Sequence, residues 1–198
     1  MARRGNRRPQ DHFGHRARKE GYPARSVYKL QEIDRRVRLF RPGQRVLDLG
    51  AAPGSFSLYA AERVGPSGSV LGIDLQPVDT EGPPQLRFLQ RDLSTATPED
   101  FAAEGPFDVV LSDMAPRTSG QRASDQYRSY ELYMRALELA AALLRPGGQF
   151  LGKIFQGAEF EDARSATARV LSAVRILKPE ASRSESYEIF LFGTKPPG

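Results

Sequence analysis

Short runs of apolar residues alternate with amphipathic segments along most of the chain. The first amphipathic segment places Val27, Leu30, Ile33 and Val37 at helical spacing, with Ser26 positioned as its N-cap. Further on, the pattern predicts strands near 45–49, 69–75, 86–89, 107–112, 149–155, 174–177 and 187–194, and helices near 55–64, 125–144 and 161–170. Because strands alternate with helices, we expect an α/β fold with a doubly wound, mostly parallel sheet of seven strands and helices on both faces.

The residues from Arg45 to Phe56 form the segment in which we first expect a ligand site. An apolar strand that contains Asp48 breaks at Gly50 into a loop of small residues, and a helix begins after Gly54. Such loops let backbone N–H groups approach a ligand, although the spacing is neither the dinucleotide fingerprint nor the P-loop. An acid beside the loop favours a ligand with a cationic group, such as S-adenosylmethionine. An ordinary strand-to-helix turn would have the same pattern.

Acidic residues recur at or near the predicted carboxyl ends of the strands. They are Asp48, Asp74, Asp92 and Asp113. Ligands of doubly wound sheets bind at this edge, so the recurrence indicates a binding site. Asp74 closes the second strand, where an acid commonly accepts hydrogen bonds from the ribose hydroxyls of an adenosine ligand. Asp92 has an equally simple structural explanation, because an aspartate after a strand often caps the next helix.

Three charged residues fall where the pattern predicts burial or the edge of an apolar face. Lys153 lies within the apolar strand 149–155 and needs a partner carboxylate, either in a structural salt bridge or in a site. Lys29 lies at the border of the apolar face of the first helix, where a lysine either extends to solvent or points into a site. Glu188 shares a strand face with Phe190, so it lies either on an exposed edge or in the site.

The composition excludes several kinds of chemistry. The 198 residues include no cysteine, which excludes disulfides, thiol catalysis and thiolate metal sites. Both histidines, His12 and His15, precede the predicted domain, so we expect no histidine-based catalysis and no metal site in the core. No apolar run approaches the roughly 20 residues of a membrane-spanning helix, and the chain does not begin with an apolar signal segment. We therefore expect a cytoplasmic protein without membrane contact.

Positive charge is concentrated at the start of the chain. Residues 1–25 contain eight of the 29 Lys and Arg residues but two of the 24 acidic ones, a net charge of +6, which leaves −1 for the remaining residues. A segment this polar does not fold alone and would associate with a polyanion, although a solvated tail is the alternative. We predict a basic, flexible leader over 1–25 and one domain over 26–198.

Five motifs of the chain are shared with one enzyme family. In order, they are Arg25-Ser26-Val27-Tyr28-Lys29, Asp48-Leu49-Gly50-Ala51-Ala52-Pro53-Gly54, Ser112-Asp113-Met114-Ala115-Pro116, Gly152-Lys153-Ile154-Phe155, and Lys178-Pro179 leading into Ser186-Tyr187-Glu188. With these motifs the sequence resembles the FtsJ/RrmJ (RlmE-type) family of ribosomal RNA ribose 2′-O-methyltransferases over about residues 18–193. The resemblance implies a Rossmann-like, S-adenosylmethionine-dependent methyltransferase fold.

The resemblance also implies a catalytic tetrad of Lys29, Asp113, Lys153 and Glu188, which would present a ribose 2′-oxygen to the methyl group of S-adenosylmethionine without a metal ion. Lys153 would either accept the proton of that oxygen or, as a cation, stabilise the negative charge that develops on it. Asp113 would hold Lys153 and the cofactor together, while Lys29 and Glu188 would orient the ribose. Glu185 is a nearby competitor for the fourth position of the tetrad.

Cofactor contacts are implied at several of the positions already singled out. They are Gly54, Phe56, Asp74, Asp92 and Asp113, beside Asp48 and Gly50 of the loop. The chain departs from the family at Ser55 and Phe56, which replace a glycine and a tryptophan that are often found there. At these two positions the packing against the cofactor would therefore differ from that in the family.

The implied substrate is a uridine ribose in large-subunit (23S) ribosomal RNA. The partner would be the assembled large (50S) subunit, the enzyme would be a monomer, and the basic leader would hold RNA phosphates. The alternatives are 2′-O-methylation of transfer RNA or of an mRNA cap, and a non-catalytic RNA-binding assembly factor. The complete tetrad favours an enzyme, and the basic leader favours RNA over a small-molecule substrate.

Overall fold

A seven-stranded sheet forms the centre of the structure, a computed structural model that describes residues 10–101, 103–181 and 186–197. The strands are β1 (Arg45–Leu49), β2 (Ser69–Asp74), β3 (Leu86–Gln90), β4 (Phe107–Ser112), β5 (Leu144–Phe155), β6 (Ser172–Leu177) and β7 (Glu188–Thr194). The helices are α1 (Gln10–Lys19), α2 (Val27–Val37), α3 (Ser55–Val64), α4 (Arg122–Leu143) and α5 (Phe160–Val170), with a 3₁₀ turn at Pro98–Phe101.

The strand order is β3-β2-β1-β4-β5-β7-β6. The pairs from β3 to β5 are parallel, whereas β7 runs antiparallel to both β5 and β6. The chain order reverses between β1 and β4, and ligands of doubly wound sheets bind at the carboxyl edge near such a point. The doubly wound, mostly parallel sheet predicted from the sequence is confirmed.

Helices cover both faces of the sheet, because successive residues of the central strands point to opposite sides. Leu47 of β1 packs in one core cluster with residues of α4 and α5, such as Tyr133 and Ala163. Its neighbour Val46 packs in the other cluster with residues of α2 and α3, such as Ile33. The helices on both faces are thus confirmed.

The segment from Ala17 to Tyr22 packs against the rest of the domain. Ala17 and Tyr22 are buried in a cluster with Val27 and Leu58, and the Tyr22 hydroxyl donates a hydrogen bond of 2.6 Å to Glu62. The sequence prediction places the start of the domain at residue 26, whereas this part of the basic segment already belongs to the fold. Residues 1–9 lie outside the described residues.

Several predicted boundaries differ from the structure. The N-cap role predicted for Ser26 is wrong: its backbone is helical, and its side chain makes no capping hydrogen bond, because a turn already precedes α2. Helix α4 begins at Arg122 and not near 125. Strand β5 begins at Leu144, which pairs with Phe107 before the register shifts, and not at 149.

Candidate active site

Lys153 lies within β5, where its side chain is 4% exposed. Its Nζ lies 2.8 Å from Asp113 Oδ1 and donates a hydrogen bond of 2.7 Å to the carbonyl oxygen of Asp113. The Oδ1 contact is an ion pair without hydrogen-bond geometry. Asp113 directly follows β4, the neighbour of β5 in the sheet. Parallel pairing therefore brings the buried lysine to the carboxylate that its position requires.

Lys29 and Glu188 form a second pair of lysine and carboxylate. Lys29 Nζ lies 2.5 Å from Glu188 Oε2, and the side chains are 13% and 24% exposed. The hydroxyl of Ser186 donates a further hydrogen bond of 3.1 Å to the same carboxylate oxygen. Lys29 comes from the first turn of α2, and Glu188 is the first residue of β7.

The antiparallel strand β7 joins the two pairs. Glu188 lies opposite Phe155 and Lys153 lies opposite Phe190, so β7 begins at the edge where the parallel strands end. Burial acts to raise the pKa of Glu188, but the charges of Lys29 and Lys153 and the hydrogen bond from Lys29 outweigh it, so the net pKa is lowered. Glu188 therefore remains ionised between two cations, and the four tetrad positions form one site.

A cavity of about 700 Å³ opens beside Asp113 at the carboxyl edge of the sheet. It is lined by Gly50, Ala52, Asp74, Leu75, Asp92, Leu93, Ser94, Asp113, Met114, Ala115, Pro116, Arg117, Arg128, Glu131, Leu132 and Arg135. Apolar side chains, including Leu93 and Met114, form much of this lining, and a few carboxylates stand among them. This combination is typical of cofactor sites. Four of the sequence-predicted cofactor residues, Gly50, Asp74, Asp92 and Asp113, meet here.

Asp74 and Asp92 present carboxylates that the backbone holds in place. Asp74 Oδ2 accepts a hydrogen bond of 3.0 Å from the Ala52 N–H, and Oδ1 accepts one of 2.8 Å from Gln76. Asp92 Oδ1 accepts one of 2.8 Å from the Ser94 N–H, and hydrogen bonds from Ser94 lower the pKa of Asp92. A carboxylate oxygen has two acceptor positions. Both acids can therefore accept further hydrogen bonds, for example from ribose hydroxyls.

Gly50 and Gly54 shape the loop between β1 and α3. Gly50 has a φ of +81°, and a Cβ placed on it would lie 2.6 Å from the side chain of Met114. Gly54 has a φ of +109°, and a Cβ there would lie 3.1 Å from Thr80. Both positions favour glycine for their backbone conformation, and Gly50 favours it for space as well. Gly50 lines the cavity, whereas Gly54 lies buried at the start of α3 and outside its lining.

Asp48 lies in the interior and not in the cavity. Its side chain is fully buried, and Oδ2 accepts a hydrogen bond of 2.6 Å from the Ser57 hydroxyl, while Oδ1 has no partner among the described residues. Burial raises the pKa of Asp48 to about 7. Its position in β1 points the side chain towards α3 and away from the cavity lining, and the cofactor contact expected for Asp48 stays a prediction.

Phe56 also lies in the core. It is 3% exposed, and its ring stacks on Phe190 with the ring centres 6.5 Å apart. The Phe56 side chain thus lies outside the lining of the cavity, and the cofactor contact implied for this residue stays a prediction. Its partner Phe190 lies opposite Lys153 in the sheet, so Phe56 supports the strand pair that carries the tetrad.

Several cavity residues were missed by sequence reasoning. Arg128, Glu131, Leu132 and Arg135 all line the cavity from α4. Their spacing of three or four residues places them on one helix face, and this periodicity was a signal that could have been used. The others, such as Leu75 and Leu93, directly follow acids that the sequence analysis had singled out.

Comparison with protein families agrees with this geometry. The family model for FtsJ-like methyltransferases matches residues 22–195. The chain belongs to this family. The resemblance found in the sequence and the prediction of a methyltransferase are thus confirmed, and the matched range includes both lysine–carboxylate pairs and the cavity.

Curated relatives resemble nearly the whole of this FtsJ-like chain. A protein of Sorangium cellulosum named ribosomal RNA large subunit methyltransferase E is 56% identical over 93% of this chain and 87% of its own. Proteins of the same name from Nitratidesulfovibrio vulgaris and Syntrophobacter fumaroxidans are 53% and 52% identical, over 91% and 94% of this chain and 92% and 95% of theirs.

Solved structures described as methyltransferases share the fold. A protein described as a ribosomal RNA methyltransferase from Plasmodium falciparum superposes with a TM-score of 0.77 at 23% identity, over 89% of this chain and all of that one. An S-adenosylmethionine-dependent O-methyltransferase from Thermotoga maritima gives 0.60 at 13% identity, over 85% of this chain and 66% of that one. The Rossmann-like methyltransferase fold predicted from the sequence is confirmed.

The remaining expectations concern metals, membranes and Glu185. Among the described residues, no group of three or more His, Cys, Asp or Glu side chains is arranged to hold a metal ion. Over the same part of the chain, no helix combines the length and the apolar character needed to cross a bilayer. Glu185, the competitor of Glu188, lies outside the described residues.

Proposed function

We propose that this chain uses S-adenosylmethionine to methylate the 2′-oxygen of a ribose, at a uridine of large-subunit ribosomal RNA. The observation that carries the proposal is the meeting of two lysine–carboxylate pairs, Lys153–Asp113 and Lys29–Glu188, beside the cavity. The names of the relatives that are 52% to 56% identical support the large-subunit RNA as substrate.

The residues of the cavity fit the proposed cofactor. Asp74 and Asp92 would accept hydrogen bonds from its ribose, since both carboxylates keep free acceptor positions. Gly50 would contribute backbone to the cavity wall, and its missing side chain lets Met114 of the same wall pack closely against it. When bound, S-adenosylmethionine supplies a methyl group on a sulfonium, which is a strong electrophile. Asp113 would lie between this group and Lys153, because it touches both the cavity and the lysine.

The lysine pairs would position the ribose oxygen. Lys153 carries its charge beside two carboxylates, that of Asp113 at 2.8 Å and that of Glu188. Lys153 would therefore stabilise the negative charge that develops on the 2′-oxygen, while the proton leaves to water. Lys29, held by Glu188, would orient the ribose so that its oxygen faces the methyl group.

Basic residues at the start of the chain support an RNA substrate. Residues 1–25 carry a net charge of +6. Within them, the last turn of α1 contains Arg16, Arg18 and Lys19, whose side chains are exposed. These cations would bind phosphates without reading sequence, as nucleic-acid-binding segments commonly do.

The proposal is tested by incubating the protein with methyl-labelled S-adenosylmethionine and RNA. Purified large-subunit ribosomal RNA, undermethylated large subunits, transfer RNA and capped messenger RNA are compared, and the methylated nucleotide is mapped. We expect label on the 2′-oxygen of one uridine in the large-subunit RNA or in the assembled subunit. Label on a base would overturn the proposed reaction, and label confined to transfer RNA or to the cap would overturn the proposed substrate.

A further inference from the structure

A cleft of about 430 Å³ lies on the side of the molecule formed by the end of α2, the loop that follows it and the outer face of α3. It is lined by Asp34, Arg35, Arg38, Phe40, Arg41, Tyr59 and Arg63, and we call it the arginine cleft. Lys29 marks the opposite end of α2. Arg38 follows Lys29 by nine positions, which corresponds to roughly 14 Å along the helix at 1.5 Å per residue.

Asp34 builds the floor of the arginine cleft. It is 5% exposed and accepts hydrogen bonds of 3.1 Å from the Phe40 N–H and of 2.8 Å from the Tyr59 hydroxyl. Arg63 forms an ion pair of 3.3 Å with the same carboxylate. The single acid of the cleft is thus buried, fully engaged and balanced by one of the four arginines.

Three arginines of the cleft remain in excess. Arg35, Arg38 and Arg41 are exposed, and within the described residues none of their side chains makes an ion pair or a hydrogen bond with a carboxylate. Arg36, next to Arg35 but outside the cleft, does pair with Glu32. Three converging cations without an acid repel one another, and a bound anion would remove that repulsion.

Arg38 occupies a backbone position whose conformation favours glycine. It caps α2 with a φ of +52° and a ψ of +58°, the left-handed conformation, and its N–H donates a hydrogen bond to the Asp34 carbonyl oxygen. Glycine adopts this conformation without strain and is the usual residue at such helix ends. The backbone therefore does not explain an arginine here, whereas a role for the side chain would.

We propose that the arginine cleft binds backbone phosphates of the RNA substrate beyond the methylated nucleotide. This inference rests on the proposed function. Guanidinium groups match phosphate oxygens with two parallel hydrogen bonds. Duplex nucleic acid carries roughly one charge per 1.7 Å of axis, so an RNA segment held near Lys29 presents phosphates over the roughly 14 Å to Arg38. The same helix thus carries a tetrad residue at one end and an RNA contact at the other.

The test measures the affinity for purified large-subunit ribosomal RNA across a salt series. The variants are Arg38→Gly and the double variant Arg35→Gln/Arg41→Gln. Arg169→Gln is the matched control, because it removes one exposed arginine from α5, on the other face of the sheet. We expect Arg38→Gly to keep or raise the melting temperature, to weaken RNA binding several-fold and to reduce the salt slope by about 0.7 to 0.9. The double variant should reduce the slope by about twice as much, and Arg169→Gln should match the parent.

Two results would overturn the inference. RNA affinity and salt slope equal to those of the parent in both variants would show that the cleft binds no phosphates. Normal binding of naked RNA together with weakened binding of assembled subunits would assign the cleft to an acidic protein surface. Binding is measured without methyl transfer, so failure of the parent to methylate RNA is recorded separately and counts against the proposed function alone.

Discussion

The carboxyl edge of the sheet has two halves, and they differ in whether their carboxylates are paired with cations. In the half built from α2, β4, β5 and β7, each carboxylate has a lysine: Asp113 pairs with Lys153 and Glu188 with Lys29. In the half built from β1, β2 and β3, the acids at the strand ends have no cation as a partner among the described residues. Asp74 and Asp92 accept hydrogen bonds from backbone N–H groups there, and Asp48 accepts one from Ser57.

This difference divides the proposed chemistry between the halves. Backbone N–H groups hold a carboxylate in place but leave its charge uncompensated. The half built from β1, β2 and β3, which we call the acidic half, therefore suits a ligand that carries hydroxyl groups and a cationic group. The half built from α2, β4, β5 and β7, which we call the paired half, would place two ammonium groups where the ribose 2′-oxygen becomes negative in the proposed reaction. Asp113 belongs to both halves, because it lines the cavity and pairs with Lys153. Each prediction below changes one half and leaves the other intact, except for Asp113→Ala, which affects both.

The largest effect is expected in the paired half, from Lys153→Ala. We expect methyl transfer to RNA to fall roughly a hundred- to ten-thousandfold, because the charge next to the reacting oxygen is lost. Cofactor affinity should change little, since Lys153 does not line the cavity. Single-turnover methylation and calorimetric titration with S-adenosylmethionine measure the two quantities.

Asp113→Ala is the contrasting variant and should reduce both quantities. In the parent, a permanently cationic Lys153 should not itself make the rate rise with pH. If the methylation rate of the parent instead rises with pH through one titration, and the pH profile of Lys153→Met lacks that titration, the lysine acts as the base. Full activity of Lys153→Ala would remove the proposed mechanism.

In the acidic half, Asp48→Asn tests how much the free energy of unfolding is lowered by a buried carboxylate that has no cation as a partner. Burial raises the pKa of Asp48 to about 7, so its contribution to stability is fully present below about pH 4 and is lost as the pH rises towards 7. Asparagine does not titrate. We therefore expect the stability of the variant relative to the parent to increase between pH 4 and pH 8 by up to about 4 kcal/mol.

Urea unfolding at a series of pH values measures this difference. Asp79→Asn, which changes an exposed aspartate, is the control and should follow the parent at every pH. A difference between Asp48→Asn and the parent that stays constant with pH would show that Asp48 titrates normally.

Asp74→Ala is expected to weaken S-adenosylmethionine binding by roughly 1 to 3 kcal/mol, the usual effect of removing a charged hydrogen-bond partner. Asp74→Asn separates two contributions, because it retains an acceptor for the Ala52 N–H but removes the charge. Calorimetry measures both variants, with Asp79→Ala as the control. Equal affinity in Asp74→Ala and the parent would exclude Asp74 from the cofactor site.

The fold and the need of Lys153 for a carboxylate were accessible from the sequence because periodicity and the burial of charge are local signals, whereas the tetrad came from the resemblance to the family. The apolar run around Lys153 required a carboxylate partner, and the structure contains one. Alternation along β1 placed Asp48 one residue from the strand end, but the pattern did not reveal which side of the sheet it faces. Its interior position depends on Ser57 of α3, and no local rule predicts that contact.

Other features depend on tertiary packing and were not predicted. The burial of Ala17 and Tyr22 depends on contacts with Leu58 of α3, which composition cannot reveal, so composition alone placed both residues in a flexible leader over 1–25. Phe56 stands at a position that the family resemblance associates with the cofactor, yet its side chain stacks on Phe190 of β7 within the core, a contact between residues far apart in the sequence.

The smallest effect is expected from Lys29→Met, in the more exposed pair of the paired half. Lys29 and Glu188 are 13% and 24% exposed, so water screens their interaction more than it screens Lys153. We expect turnover to fall about tenfold, since a less well oriented ribose oxygen reduces proximity without affecting the cofactor. If the two residues act as a pair, Lys29→Met/Glu188→Gln should lose little more than Lys29→Met alone. Losses that multiply in the double variant would show that Lys29 and Glu188 act on the ribose independently, and unchanged turnover in Lys29→Met would exclude it from the tetrad.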